Sequence, residues 1–132
     1  INEMIKNRAF WMPFAPVILD KYVSRYIVNP KGIQSPQMTI AFQTTAEGFK
    51  AMMAACHPAD RTVRAQMLKR KDNPELYGIL EEFEKKTGRG ALLNTSFNLH
   101  GYPIVNTPEE ALYVFENSGL DALLLNQYLI LK

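Results

Sequence analysis

Two stretches of the chain carry the same punctuation, and they limit the fold more than anything else in it. "NPELYGILEEFEKKTG", residues 73–88, offers Asn73 as an N-cap, Pro74 at the first helical position, an apolar set Leu76, Ile79, Leu80 and Phe83 at helical spacing, and Gly88 as a stop. "TPEEALYVFENSGL", residues 107–120, repeats it: Thr107 and Glu110 stand at capping-box spacing, Pro108 is at N1, Ala111, Leu112 and Phe115 form the inner stripe, and Gly119 ends the helix. Each is followed by a short apolar run, Ala91-Leu92-Leu93 and then "DALLLNQYLIL", which reads as one or two closing strands. Upstream, "QMTIAFQTT" alternates Met38, Ile40 and Phe42 against Thr39, Ala41 and Gln43, predicting a strand over 37–44. The order strand, helix, strand, helix, strand predicts an α/β (α+β) fold, a sheet with helices packed on it. Glu81–Lys85 and Glu82–Lys86 at i,i+4 read as a solvated outer face. Residues 29–36, "NPKGIQSP", read as a surface loop.

The 132 residues are about the size of one domain with one core. Nearly half the residues are apolar, which excludes a disordered or fibrous chain. The formal charge of +2 is too near balance for a general nucleic-acid footprint, so any anion site must be local. A lone Cys56 permits no internal disulfide, which points to a reducing cytoplasm, and the apolar runs are too short to span a bilayer. Two histidines and scattered carboxylates do not make a metal site. The chain starts at Ile rather than Met, as a piece of a longer polypeptide would.

Three stretches could carry chemistry. In "IKNRAFWMPFAP", Lys6 and Arg8 stand two apart; in an extended segment both side chains point one way and invite an anion between them. In "HPADRTVRAQMLKR", Val63, Ala65 and Met67 alternate with Thr62, Arg64 and Gln66, so a strand would present the Arg64 fork beside a hydroxyl and an amide. His57, Pro58 and Asp60 could orient the loop before it. Finally, "NTSFNLHGYPIV", residues 94–105, places Asn94, Thr95, Ser96, Asn98 and His100 within seven positions, a cluster of neutral groups suited to phosphate oxygens. It is neither a P-loop nor a nucleophile elbow, because the required glycines are absent.

Together, "IKNRAFWMPFAP", "HPADRTVRAQ" and "LLNTSFNLHGYPIVNTPEEAL" followed by "FENSGLDALLL" resemble the C-terminal domain of the O-carbamoyltransferases that modify nodulation factors and aminoglycoside or cephem antibiotics. The resemblance covers nearly the whole chain, residues 1–132 as a single domain. It implies a YrdC-like twisted mixed β-sheet with flanking helices, which makes carbamoyl-adenylate from carbamoyl phosphate and ATP with Mg²⁺. A separate N-terminal, actin-like domain, holding Fe²⁺ or a similar metal, would then pass the carbamoyl group to a hydroxyl of a small molecule or glycoside. The resemblance implies Lys6, Arg8 and Arg64 as the catalytic cations. Ser96 and Asn98 stand at its phosphate-holding loop, with Asn94, Thr95, His57 and His100 as further candidates for substrate or nucleotide binding. The chain departs from the pattern at Met12, where many relatives carry arginine, and at Tyr102, where many carry glutamate or another polar residue.

Two other classes of function compete. One is a catalytically inactive nucleotide- or phosphate-binding regulatory module; pyrophosphate release separates it from the enzyme. The other is an RNA-binding domain, against which the near-neutral charge and the lack of a stacking motif argue.

Overall fold

The computed structural model describes residues 2–9 and 12–132. The aromatic pair Phe10-Trp11 of the first candidate stretch lies outside the described residues. The chain divides into two compact units, one of residues 11–95 and one combining residues 1–10 with 96–132. Each has its own apolar cluster, where the sequence predicts one core. The α+β class is as expected.

The larger unit is built on β1 (Ala15–Leu19), which the sequence reading misses because Pro13 and Pro16 punctuate it. All five of its residues are buried. It is the centre of a mixed three-stranded sheet, parallel to β4 (Gln66–Leu68) and antiparallel to β5 (Ala91–Asn94). A proline is tolerated at this central position for a geometric reason. The Leu19 N–H donates to Gly90 on the β5 side at 3.0 Å, so by alternation the missing Pro16 donor faces the β4 side, where pairing starts only at Val17. Two short helices, α1 (Val23–Tyr26) and α2 (Ala46–Met52), and the two-residue strands β2 (Phe42–Gln43) and β3 (Thr62–Val63) also belong to this unit.

The expected strand over 37–44 survives only as β2. Ser35 is buried with its hydroxyl 2.7 Å from the Gln37 carbonyl and 2.9 Å from that of Ala65, and the Thr39 N–H turns back to Gln37 at 2.9 Å. That turn takes the backbone groups a ladder would need. The alternation from Thr62 to Met67 does predict burial: Val63, Ala65 and Met67 are buried and Arg64 is exposed. The strand is nevertheless broken at 64–65, since β3 pairs with β2 while β4 pairs with β1.

Helix α3 (Pro74–Thr87) has the expected ends, with the Asn73 side chain accepting from the Leu76 N–H and Gly88 left-handed at φ 72°. Its buried face is rotated from the expected one. Tyr77 and Leu80 are buried while Ile79 is half exposed, because Tyr77 can bury its ring and still donate its hydroxyl to Asp20 at 3.0 Å. The outer charges also pair differently: Glu82 takes Lys85, Glu81 takes Arg70 from the preceding turn, and Glu84 takes Lys21.

The smaller unit packs α4 (Pro108–Glu116) on the hairpin of β6 (Ala122–Leu125) and β7 (Tyr128–Leu131). Ala111, Phe115 and Leu123 form its centre, with Phe97, Val105 and Leu120 against them. The capping box is complete, Thr107 accepting from the Glu110 N–H and Glu110 from the Thr107 N–H. The helix stops at Asn117 rather than at Gly119, whose N–H instead donates to Met4 at 3.1 Å. Thr107→Ala is expected to cost about 1 kcal/mol, read as a lowered midpoint in urea denaturation.

Candidate phosphate site

Residues Asn2–Lys6 form a π-helical turn, closed by the Asn7 N–H on the Asn2 carbonyl at 2.6 Å. Asn7 takes φ 43°, a conformation asparagine tolerates better than most residues. The Asn2 side chain then clasps the Arg8 backbone, its Oδ1 accepting from the Arg8 N–H at 2.8 Å and its Nδ2 donating to the Arg8 carbonyl at 3.0 Å. Lys6 and Arg8 are therefore not presented from an extended segment, as their spacing alone predicts. The turn wraps Lys6 inward until it is 3% exposed.

The Lys6 ammonium donates to Ser96 Oγ at 3.0 Å, to the Asn98 carbonyl at 3.2 Å and to Asn98 Oδ1 at 2.5 Å. All three acceptors are neutral, and no carboxylate pairs with it among the described residues. Burial first, and the neighbouring Arg8 charge second, hold its pKa below the ordinary lysine value of 10.5. An interior cation without a counter-charge is costly, and a bound anion relieves that cost.

Asn98 organises the loop around this amine. Its Oδ1 also accepts from Ser96 Oγ at 2.7 Å, while its Nδ2 donates to the carbonyls of Leu99 at 3.1 Å and Tyr102 at 2.7 Å. The turn between them uses Gly101 at φ 80°. His100 is exposed at the tip, and Tyr102 is 59% exposed. The structure thus brings together Lys6, Ser96 and Asn98, with the Arg8 charge close enough to be felt at Lys6.

The other candidates lie in the larger unit. Arg64 is exposed, with no hydrogen bond or ion pair among the described residues. His57 belongs to a self-contained turn. Its Nδ1 accepts from the Ala59 N–H at 3.3 Å, its N–H donates to Thr62 at 2.8 Å, and Asp60 accepts from both the Thr62 N–H and hydroxyl. Those Thr62 bonds keep the Asp60 carboxyl below its usual range. Asn94 ends β5 and donates its Nδ2 to Gln66 Oε1 at 2.8 Å. Thr95 is the last residue of this unit. No group of three or more His, Cys, Asp or Glu side chains able to hold a metal occurs among the described residues, and no described helix is long and apolar enough to cross a membrane.

The family described as Carbamoyltransferase C-terminus matches residues 1–132. The chain belongs to that family. Among relatives of this carbamoyltransferase C-terminal domain, an uncharacterized protein of Methanocaldococcus jannaschii is 42% identical over 132 residues, covering all of this chain and 25% of that protein. The nodulation protein NolO of Bradyrhizobium diazoefficiens is 34% identical over 133 residues, all of this chain and 24% of NolO. The 3'-hydroxymethylcephem-O-carbamoyltransferase of Amycolatopsis lactamdurans is 28% identical over 120 residues, 91% of this chain and 22% of that enzyme. The chain spans about a quarter of the length of these curated relatives.

Two residues of the carbamoyltransferase C-terminal domain that the sequence reading leaves out of the candidate set hold members of it in place: Asn2, which clasps Arg8, and Gln66, which meets Asn94. Gln66 could have been found, since it alternates with Arg64 and Thr62 on one side of a strand. Asn2 carries no sequence signal, because its role depends on a turn that only the folded backbone closes. Met12, at the first departure from the family pattern, is 51% exposed.

Proposed function

We propose that this domain is the carbamoyl-adenylate-forming part of an O-carbamoyltransferase, using carbamoyl phosphate and ATP, with transfer to a hydroxyl acceptor carried out elsewhere in a longer protein. The observation that carries the reading is the buried Lys6 amine, ringed by Ser96 and Asn98, with a second cation beside it and no carboxylate paired with Lys6 among the described residues. Family membership supports a carbamoyl-transfer role, and the cephem relative is an O-carbamoyltransferase by name.

In the proposed reaction water first cleaves carbamoyl phosphate into carbamate and inorganic phosphate; a carbamate oxygen then attacks the α-phosphorus of ATP, a new P–O bond forms, and the bond to the β-phosphate breaks to release pyrophosphate. Several negative oxygens must crowd together, so the need is for positioning and charge neutralisation rather than a covalent intermediate on the protein. Lys6 and Arg8 would supply positive charge and Ser96 a neutral donor. Arg64 is retained as a proposed cation of the reaction, and His57 and His100 as proposed substrate contacts. Mg²⁺ would bridge the ATP phosphates, held by the nucleotide more than by protein. An incoming phosphate oxygen competes with Asn98 Oδ1 for both the Lys6 proton and the Ser96 hydroxyl.

Incubation of the chain with ATP, Mg²⁺ and carbamoyl phosphate tests this: pyrophosphate release dependent on carbamoyl phosphate is expected. Binding of both ligands without release would instead assign a regulatory binding module. Ser96→Ala is the cleaner loop variant. It is expected to weaken carbamoyl phosphate or ATP binding by about tenfold or more, the size of one hydrogen bond to a charged group, with little change in melting temperature. Asn98→Ala should weaken binding and also lower the melting temperature, because Asn98 also ties the loop to Leu99 and Tyr102.

A further inference from the structure

The side chains of Asn94 and Gln66 lie on one face of the three-stranded sheet. Asn94 is the β1 partner of Ala15 and Gln66 that of Val17, and side chains two apart on a strand share a face with their cross-strand partners. Their amides reach over β1 and form a single bond, Asn94 Nδ2 to Gln66 Oε1 at 2.8 Å. Two carboxamides can form a second, reciprocal bond, and here it is not made. Among the described residues Asn94 Oδ1 and Gln66 Nε2 take no hydrogen bond, and both residues are only partly buried, with no buried side-chain polar atom lacking a partner. The couple keeps one donor and one acceptor open whichever amide donates to the other.

We infer that the Asn94–Gln66 couple is a recognition subsite for a planar group carrying an amino donor beside an acceptor, as in H₂N–C=O or H₂N–C=N. The amino group donates to Asn94 Oδ1 while the adjacent acceptor takes the proton of Gln66 Nε2, completing the bond pattern that the two amides leave half made. Two substrates of the proposed reaction present this edge, the carbamoyl group and the 6-amino edge of adenine, so the inference rests on that reading. The subsite selects by hydrogen bonding, and it should reject an analogue that lacks the amino group, because the Asn94 acceptor then loses its solvent without gaining a donor.

Titration calorimetry with the 132-residue chain distinguishes the sources. In one arm carbamoyl phosphate is compared with acetyl phosphate, which replaces the amino group by methyl; in the other adenosine is compared with purine riboside, which lacks the 6-amino group. The wild type is expected to prefer the amino-bearing member of one pair by about tenfold, roughly one neutral hydrogen bond. Gln66→Met should abolish that preference while leaving inorganic phosphate binding unchanged. A preference in the first arm assigns the carbamoyl group, and one in the second assigns adenine. If Gln66→Met does not fold, Gln66→Glu keeps the acceptor for Asn94 Nδ2 and removes the free donor; because it adds a negative charge, it is read as the ratio within each pair rather than as absolute affinity. Wild-type binding without preference in either arm, or a preference that survives in the folded variant, overturns the inference alone. Failure of the wild type to bind either carbamoyl phosphate or ATP overturns the proposed function and the inference with it.

Discussion

Replacing Lys6 by methionine is expected to abolish most phosphate-ligand affinity while leaving the chain as stable as before, or more so. Methionine keeps the unbranched stem and removes the charge. The affinity loss should lie between about tenfold and a hundredfold, since a hydrogen bond to a charged group is worth about 1.5–3 kcal/mol. Two effects oppose each other in stability. Three hydrogen bonds disappear, yet Ser96 Oγ and Asn98 Oδ1 still have each other at 2.7 Å, and the cost of an interior cation without a counter-charge is removed. A surface lysine would show neither effect.

The pH dependence gives a second readout with a definite sign. Folding lowers the Lys6 pKa, through burial and then through Arg8, so between the lowered value and 10.5 the unfolded chain holds a proton that the folded chain has shed. In that window stability rises with pH; the penalty is full below the folded pKa and vanishes above 10.5. The wild type should therefore gain on Lys6→Met as pH climbs through the window, measured as the difference between their urea midpoints. A difference that is flat with pH would place the Lys6 amine in a water-like environment and remove the central support for the site.

Gly48→Ala should be among the most destabilising single substitutions, although helix propensity favours it. Gly48 lies within α2, where alanine would ordinarily gain about 1 kcal/mol. A Cβ at this position would stand 1.9 Å from the Tyr26 carbonyl oxygen and 2.6 Å from its carbon. That oxygen cannot swing aside as a flexible side chain would, because it ends α1 and accepts the Thr45 N–H at 3.0 Å next to the α2 N-cap. The helices must separate, and overpacking of this kind costs about 1–3 kcal/mol or more, which outweighs the propensity gain. Thermal denaturation against Gly78→Ala is the fitting control, since a Cβ at Gly78 meets nothing within 4 Å. Equal behaviour of the two variants would mean that α1 and α2 are not so closely apposed.

How much of this was legible beforehand follows the range of the interactions. The ends of α3 and α4 were determined by the sequence alone, because an N-cap, a proline and a capping glutamate act within three or four residues of one another. The inward set Val63, Ala65 and Met67 was legible for the same reason, and so was the crowding of polar side chains into residues 94–100. Tertiary structure alone decided the rest. It placed β1 at the centre of a sheet despite Pro16, since only the neighbouring strands determine whether a missing N–H matters. It rotated α3 to bury Tyr77, whose hydroxyl needed an Asp20 acceptor 57 residues away. It coiled the first residues into a turn that buries Lys6 against Ser96 and Asn98, some ninety positions along the chain. The sequence could name the charged and polar groups; whether a cation meets water or a ring of neutral oxygens depends on backbone brought from far away, and that burial is the larger cause of the lowered Lys6 pKa.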